Sequence, residues 1–121
     1  MDHFTRLLAM LVSLSICLLP ATGFAECLDG DCENGSGRLS LPGGTLYAGE
    51  FKNGKWHGTG TLKYPDGTAY EGEFFEGFFH GTGTYTFADG GWYKGDFVRD
   101  KITGTGLRVF PDGKRYEGEF Q

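Results

Sequence analysis

Between residues 47 and 120 the chain alternates, one position at a time, between aromatic or glycine residues and polar ones. Tyr70, Gly72 and Phe74 are separated by Glu71 and Glu73, and Gly81, Gly83, Tyr85 and Phe87 by Thr82, Thr84 and Thr86. A period of two sends successive side chains to opposite faces of a β-strand. The two runs are separated by Phe75 to Phe79, which contains Gly77. Further turns are expected at Pro65-Asp66-Gly67, Ala88-Asp89-Gly90 and Pro111-Asp112-Gly113. There proline presets φ, while aspartate and glycine supply the side-chain bond and the positive φ of a tight turn. The pattern predicts a succession of β-hairpins.

The hairpins are copies of one another. Gly44 to Asp66, Gly67 to Asp89 and Gly90 to Asp112 align with start points 23 residues apart, and Gly113 to Gln121 begins a fourth copy. Gly35 and Gly37 stand 23 residues before Gly58 and Gly60, so 35–43 reads as half of an earlier, degenerate copy. A fixed period of this size marks one supersecondary unit stacked on its neighbours. The expected organisation is a leader over 1–25, an acidic segment over 26–34, the half copy over 35–43, repeats at 44–66, 67–89 and 90–112, and a partial repeat at 113–121.

Glycine takes every other place on the aromatic face: Tyr47, Gly49 and Phe51 on one strand, then Gly58, Gly60, Leu62 and Tyr64 on the next. A glycine inside a strand weakens it unless a ring from the adjacent strand lies over the bare backbone. The expectation is a ring-over-glycine lattice. It takes in Tyr47, Gly49, Phe51, Gly58, Gly60, Tyr70, Gly72, Phe74, Gly81, Gly83, Tyr93, Gly95, Phe97, Gly104 and Gly106, with Tyr64, Tyr85, Phe87, Phe110, Tyr116 and Phe120 among its rings. The sheet should be strongly twisted, so that its own rings pack against each other.

The phrase Tyr70-Glu71-Gly72-Glu73-Phe74, followed by His80-Gly81-Thr82-Gly83 and closed by Asp89-Gly90, resembles the MORN (membrane occupation and recognition nexus) repeat. The resemblance extends from the half copy to the C-terminus. Ala48 and Lys94 replace the first glutamate, Asp96 replaces the second, and Asp100 and Thr103 stand where the family has glycine and histidine. The third hairpin turn is therefore where irregularity is expected. The resemblance implies an all-β, elongated, single-layered antiparallel sheet that serves as a non-catalytic interaction module, binding proteins or membrane surfaces, without a cofactor.

The first 25 residues are of another kind. Arg6 precedes an apolar run from Leu7 to Leu19, then Pro20 and the small-residue ending Gly23-Phe24-Ala25. This is the pattern of a helical secretory signal peptide cleaved before Glu26, and the run is short for a membrane anchor. A secreted, periplasmic or cell-envelope location follows. Cys17 would leave with the leader, and the remaining pair, Cys27 and Cys32, reads as a disulfide tying down the N-terminal edge. The net charge of −5 is concentrated in Glu26, Asp29, Asp31 and Glu33, which leaves the repeats nearly neutral. Nothing resembles the basic stripe of a nucleic-acid binder, and only Lys101, Arg108, Lys114 and Arg115 approach a basic patch.

Candidate chemistry is sparse. His57 and His80 occupy equivalent positions about 9.5 Å apart at ordinary strand spacing, too far to share a metal ion, and are expected to close turns by hydrogen bonding. Glu71 and Glu73 have a spacing that overlaps the carboxylate pairs of inverting glycosidases, but no cleft is predicted around them, so a hydrolase is only a remote alternative. The segment Asp29 to Glu33 faintly resembles the start of a calcium loop, but Asn34 stands where that loop wants glycine and Ser40 where it wants the bidentate glutamate. The candidate interaction residues are apolar ones beyond those the lattice needs: the equivalent Trp56, Phe79 and Ile102, forming a ladder beside the hairpin turns, with Phe75, Phe78 and Trp92 near them. The first reading of these residues is that they cover the turns and seal the end of the ring lattice; a recognition strip is the alternative. The chain stops after one strand of the fourth copy, leaving an edge whose backbone groups offer pairing to a partner's strand or to a second copy, with the charges of Lys114, Arg115, Glu117 and Glu119 as the alternative, a device against such pairing. The functional expectation is a protein-binding scaffold, with weak contact to a membrane surface as the alternative.

Overall fold

The computed structural model describes residues 24–121, in which the alternating runs form nine strands. They are β1 (Glu26–Gly30), β2 (Ser36–Ser40), β3 (Leu46–Lys52), β4 (Lys55–Lys63), β5 (Ala69–Phe75), β6 (Phe78–Thr86), β7 (Trp92–Val98), β8 (Lys101–Val109) and β9 (Arg115–Phe120). Each pairs antiparallel with the next, giving one open sheet in sequence order. The fold is the all-β single sheet of hairpins that the periodicity predicts. The signal-peptide reading, Cys17 included, lies outside the described residues apart from Phe24 and Ala25. No described helix is long and apolar enough to cross a membrane.

One face of the sheet carries the core. Tyr47, Phe51, Leu62, Tyr70, Phe74, Tyr93 and Phe97 are its buried apolar residues. In each repeat the tyrosine lies along its own strand, over a pair of glycines that face each other across the hairpin: Gly49 and Gly60, Gly72 and Gly83, Gly95 and Gly106. A Cβ added at Gly60 would stand 2.5 Å from the Tyr47 hydroxyl, inside any tolerable contact. The buried hydroxyls find acceptors: Tyr47, Tyr70 and Tyr93 donate to the carbonyls of Glu50, Glu73 and Asp96 at 2.7, 2.7 and 3.0 Å.

Edge-to-face contacts then connect the repeats. Tyr47 meets Phe51 of its own strand at 5.0 Å and Phe74 of the next repeat at 5.1 Å, and Tyr70 meets Phe74 at 4.9 Å and Phe97 at 5.1 Å. Such ring pairs add about 0.5–1.5 kcal/mol each beyond the area they bury. The lattice is smaller than the alternation suggests. Tyr64, Phe110 and Tyr116 stand more than a third exposed: the first two lie just past the ends of β4 and β8, and Tyr116 sits on β9, the edge strand of the described sheet, without the facing hairpin strand that covers Tyr47, Tyr70 and Tyr93.

Gly58, Gly81 and Gly104 also depart from expectation. They have φ of 66°, 66° and 62°, and a side chain there would meet the carboxylate of Glu50, Glu73 or Asp96 rather than a ring. The register explains why. Gly49 faces Gly60 and Phe51 faces Trp56, so three residues of β4 oppose the single residue Glu50. This is a bulge, and glycine is what its left-handed position requires.

The third hairpin turn is regular in spite of its sequence. Arg99 and Asp100 adopt φ of 47° and 69°, close to 52° and 74° for Asn53 and Gly54. Aspartate tolerates the left-handed region, and here its carboxylate also accepts a bond from the Phe79 amide at 2.8 Å. At the other end of the sheet, Cys27 and Cys32 are joined by a disulfide with Cα atoms 6.0 Å apart, within the β1–β2 hairpin. The acidic segment supplies strand β1, which with β2 makes a short first hairpin.

Two outcomes follow. Gly60→Ala forces the Tyr47 ring off its seat and is expected to destabilise by about 1–3 kcal/mol in urea unfolding. Burial, reinforced by the nearby Glu50 and Glu73 carboxylates, pushes the Tyr47 and Tyr70 phenols from 10.0 up to about 12. Folded pKa values above the unfolded one mean that this stabilisation is complete below pH 10 and is lost as pH rises towards 12. Alkaline titration followed at 295 nm should therefore show these two phenols ionising together with loss of the β-sheet circular dichroism signal.

Candidate interaction surfaces

Strand alternation and register divide the side chains into a ring face and a polar face. On the polar face the second acidic residue of each repeat has a local task. Glu50 Oε2 accepts from the Thr59 amide at 2.7 Å and from its hydroxyl at 2.9 Å. Glu73 accepts from the Thr82 amide at 2.7 Å, and Asp96, one methylene shorter, from that of Thr105 at 3.1 Å. Each carboxylate spans a bulge and occupies an amide that the shifted register leaves without a strand partner. The backbone bond, then the hydroxyl bond, from Thr59 holds the Glu50 pKa below its ordinary value. Glu73, half of the pair that suggested a hydrolase, is a bulge cap, whereas Glu71 makes no such bond.

His57 and His80 do not close turns through their side chains. Their rings flank Phe75 from neighbouring strands, with centroids 5.4 and 5.6 Å from it. Phe75 faces Phe78 across the hairpin, and the two stand 40% and 43% exposed on the polar face. Lys52 and Lys55 adjoin this pair on one side and Arg99 on the other, with Glu76 at the turn between.

The second surface lies on the ring face, along the end of the strands where one repeat passes to the next. Leu41, Tyr64, Phe87 and Phe110 recur there every 23 residues, each donating its amide across the inter-repeat turn, as Tyr64 does to Thr68 O at 2.8 Å. Tyr85 packs on Phe87 at 4.9 Å, and Arg108 extends its guanidinium over Phe87 and Phe110. Exposed rings in this row were assigned to the lattice by their alternation, which does not register how far a strand end lies from the core.

Three consecutive stretches of 23 residues, 47–69, 70–92 and 93–115, match the family model described as MORN repeat, and together they take in more than half of the chain. The chain belongs to the MORN repeat family. No curated protein matches it. The matched MORN repeats keep the period read from the sequence with a phase three residues later, each opening on the tyrosine that covers the glycine pair. MORN repeats are generally non-enzymatic modules of protein or membrane interaction.

The candidate residues do not form the one strip that the sequence suggests. Trp56 and Phe79 turn to the ring face, stacked nearly parallel on Tyr47 and Tyr70 at 4.9 and 4.0 Å, and Ile102 takes the same place in the third MORN repeat. All three are partly buried and pack on the core. Phe75 and Phe78 point to the opposite face, because they occupy the alternate register. Trp92 is on that polar face too, but beside Thr86 and Val109, at the far end of the strands from the hairpin turns.

The bulge caps give an asymmetric result. Glu73→Ala is expected to lower the thermal midpoint by several degrees, whereas Glu71→Ala leaves it unchanged. A carboxylate with a lowered folded pKa stabilises above its ordinary value and ceases to do so as pH falls through the folded one, so the contribution of Glu50 is present at neutral pH and is lost on acidification through its lowered pKa. Melting curves of both variants and of the wild type from pH 7 to pH 3 check the pair.

Proposed function

We propose that this MORN protein is an exported, non-catalytic scaffold that captures a protein partner on its sheet. The observation that carries the reading is the way the rings are spent. One set is consumed in covering glycines, yet Phe75 and Phe78 on one face, and Tyr64 and Phe110 on the other, are more than a third exposed at fixed positions of a hydrogen-bonded sheet. Contiguous apolar area held rigidly on a protein surface marks interaction sites, and aromatic residues dominate binding energy there. The export reading rests on the apolar run Leu7 to Leu19 ahead of Ala25 and on the Cys27–Cys32 disulfide, which an oxidising compartment maintains. Pairing through the β9 edge with a second copy belongs to the same proposal, since that strand runs in an unbroken ladder from Arg115 to Phe120.

A specific observation supports a second reading. The exposed Phe75 and Phe78 lie among Lys52, Lys55 and Arg99, the combination of rings and cations that suits the interface of an anionic membrane. One experiment addresses both. Crosslinking in the native compartment followed by mass spectrometry, on wild type, Phe75→Ser/Phe78→Ser and Tyr64→Ser/Phe110→Ser, should show a protein partner lost in at least one variant while thermal unfolding moves by only a few degrees. Undiminished capture by both variants removes the exposed rings from the binding surface. Flotation with phosphatidylserine vesicles that is lost in Phe75→Ser/Phe78→Ser would select the membrane reading instead.

A further inference from the structure

Arg108 breaks the pattern of its own row. The equivalent positions 39, 62 and 85 hold Leu, Leu and Tyr, each facing the tyrosine of the following strand on the ring face, and Arg108 faces Tyr116 in the same way. In the third repeat a full positive charge therefore sits on a face that is otherwise aromatic. Its carbon centre Cζ lies 3.9 Å from the centroid of Phe87 and 4.7 Å from that of Phe110. Nε is buried without a hydrogen-bond partner, and among the described residues no carboxylate comes within 4 Å of the group. Arg38 and Lys114, by contrast, are paired with Asp29 at 2.8 Å and Asp112 at 3.8 Å.

The guanidinium is thus pre-organised and unpaired. Stacking on two rings fixes the plane of the guanidinium and removes water from it, while the residue keeps part of its surface open. A planar fork of donors fixed in this way matches a carboxylate with two parallel bonds, and thin hydration strengthens the attraction. Phe110 and Tyr116, 40% and 47% exposed, flank it with apolar contact area. We propose that Arg108 anchors a protein segment that presents an aspartate or glutamate side chain between apolar residues, laid on the ring face across the third repeat. A neutral or basic segment covering the same rings would bury the guanidinium unpaired, which is costly, so the site discriminates as well as binds.

The proposal rests on the protein-binding reading and specifies the chemistry of the partner. Selection of displayed random dodecamer peptides on the full-length protein, repeated on R108Q and R108K, tests it. Wild type should enrich peptides with Asp or Glu beside aromatic or aliphatic residues. The best of these should bind R108Q about tenfold more weakly and R108K with an intermediate loss, at a thermal midpoint within a few degrees of wild type. Enriched peptides that lack acids, or acidic enrichment that persists on R108Q, overturn the carboxylate site while leaving protein binding intact. Recovery of no binding peptide overturns both. Anionic vesicles that bind wild type but not R108Q, with no acidic peptide enriched, replace the peptide partner by a lipid headgroup.

Discussion

The structure depends on one contact, a tyrosine ring laid over two glycines that face each other across a hairpin. Only the absence of Cβ atoms at Gly49 and Gly60 lets Tyr47 come down onto the backbone, and the same holds for Tyr70 and Tyr93. A single sheet has no opposing layer in which to bury its apolar side chains. By lying flat along its own strand, each tyrosine makes the sheet serve as its own second layer, with the hydroxyl satisfied by a carbonyl three residues on. Phe51, Phe74 and Phe97 then stand edge-on to these rings, and Trp56 and Phe79 close over them.

That arrangement divides the labour between the faces. The ring face holds everything apolar that must be covered, and the polar face holds the carboxylate caps that stabilise the bulges. Rings left over from this division, Phe75 with Phe78 on one side and the row from Tyr64 to Phe110 on the other, are free for contact with other molecules. The stiff backbone ladder keeps them at fixed spacings, so under the proposed scaffold function the surface they offer would need little ordering on binding.

Much of the fold was legible because its signals are local. Alternation gives strands, Pro-Asp-Gly gives turns, and the 23-residue period gives the stacking. What escaped the sequence is equally physical. The bulge adds an even number of residues to one strand, so Gly58 keeps its parity with Gly60 and alternation cannot distinguish a left-handed glycine from a flat one. Glu73 looked like a solvent-facing acid because its partner, the Thr82 amide, has no side-chain signature. Trp56, Phe79 and Ile102 looked spare because the tyrosines they cover are nine residues away and only register brings them together. Arg108 read as part of a diffuse basic patch, since its facing residues, Tyr93 and Tyr116, are known only once the strands are paired.

The hairpin turns carry one more consequence. Gly54, Gly77 and Asp100 each donate an amide backwards, to the carbonyls of Glu33, Trp56 and Phe79 in the preceding hairpin. These bonds all point one way along the chain. Each tip is thereby stapled to the one before it, and at Asp100 the staple is double, since its carboxylate accepts from the Phe79 amide in return. An open sheet stitched along one margin in this way cannot splay a single turn without loosening its neighbour.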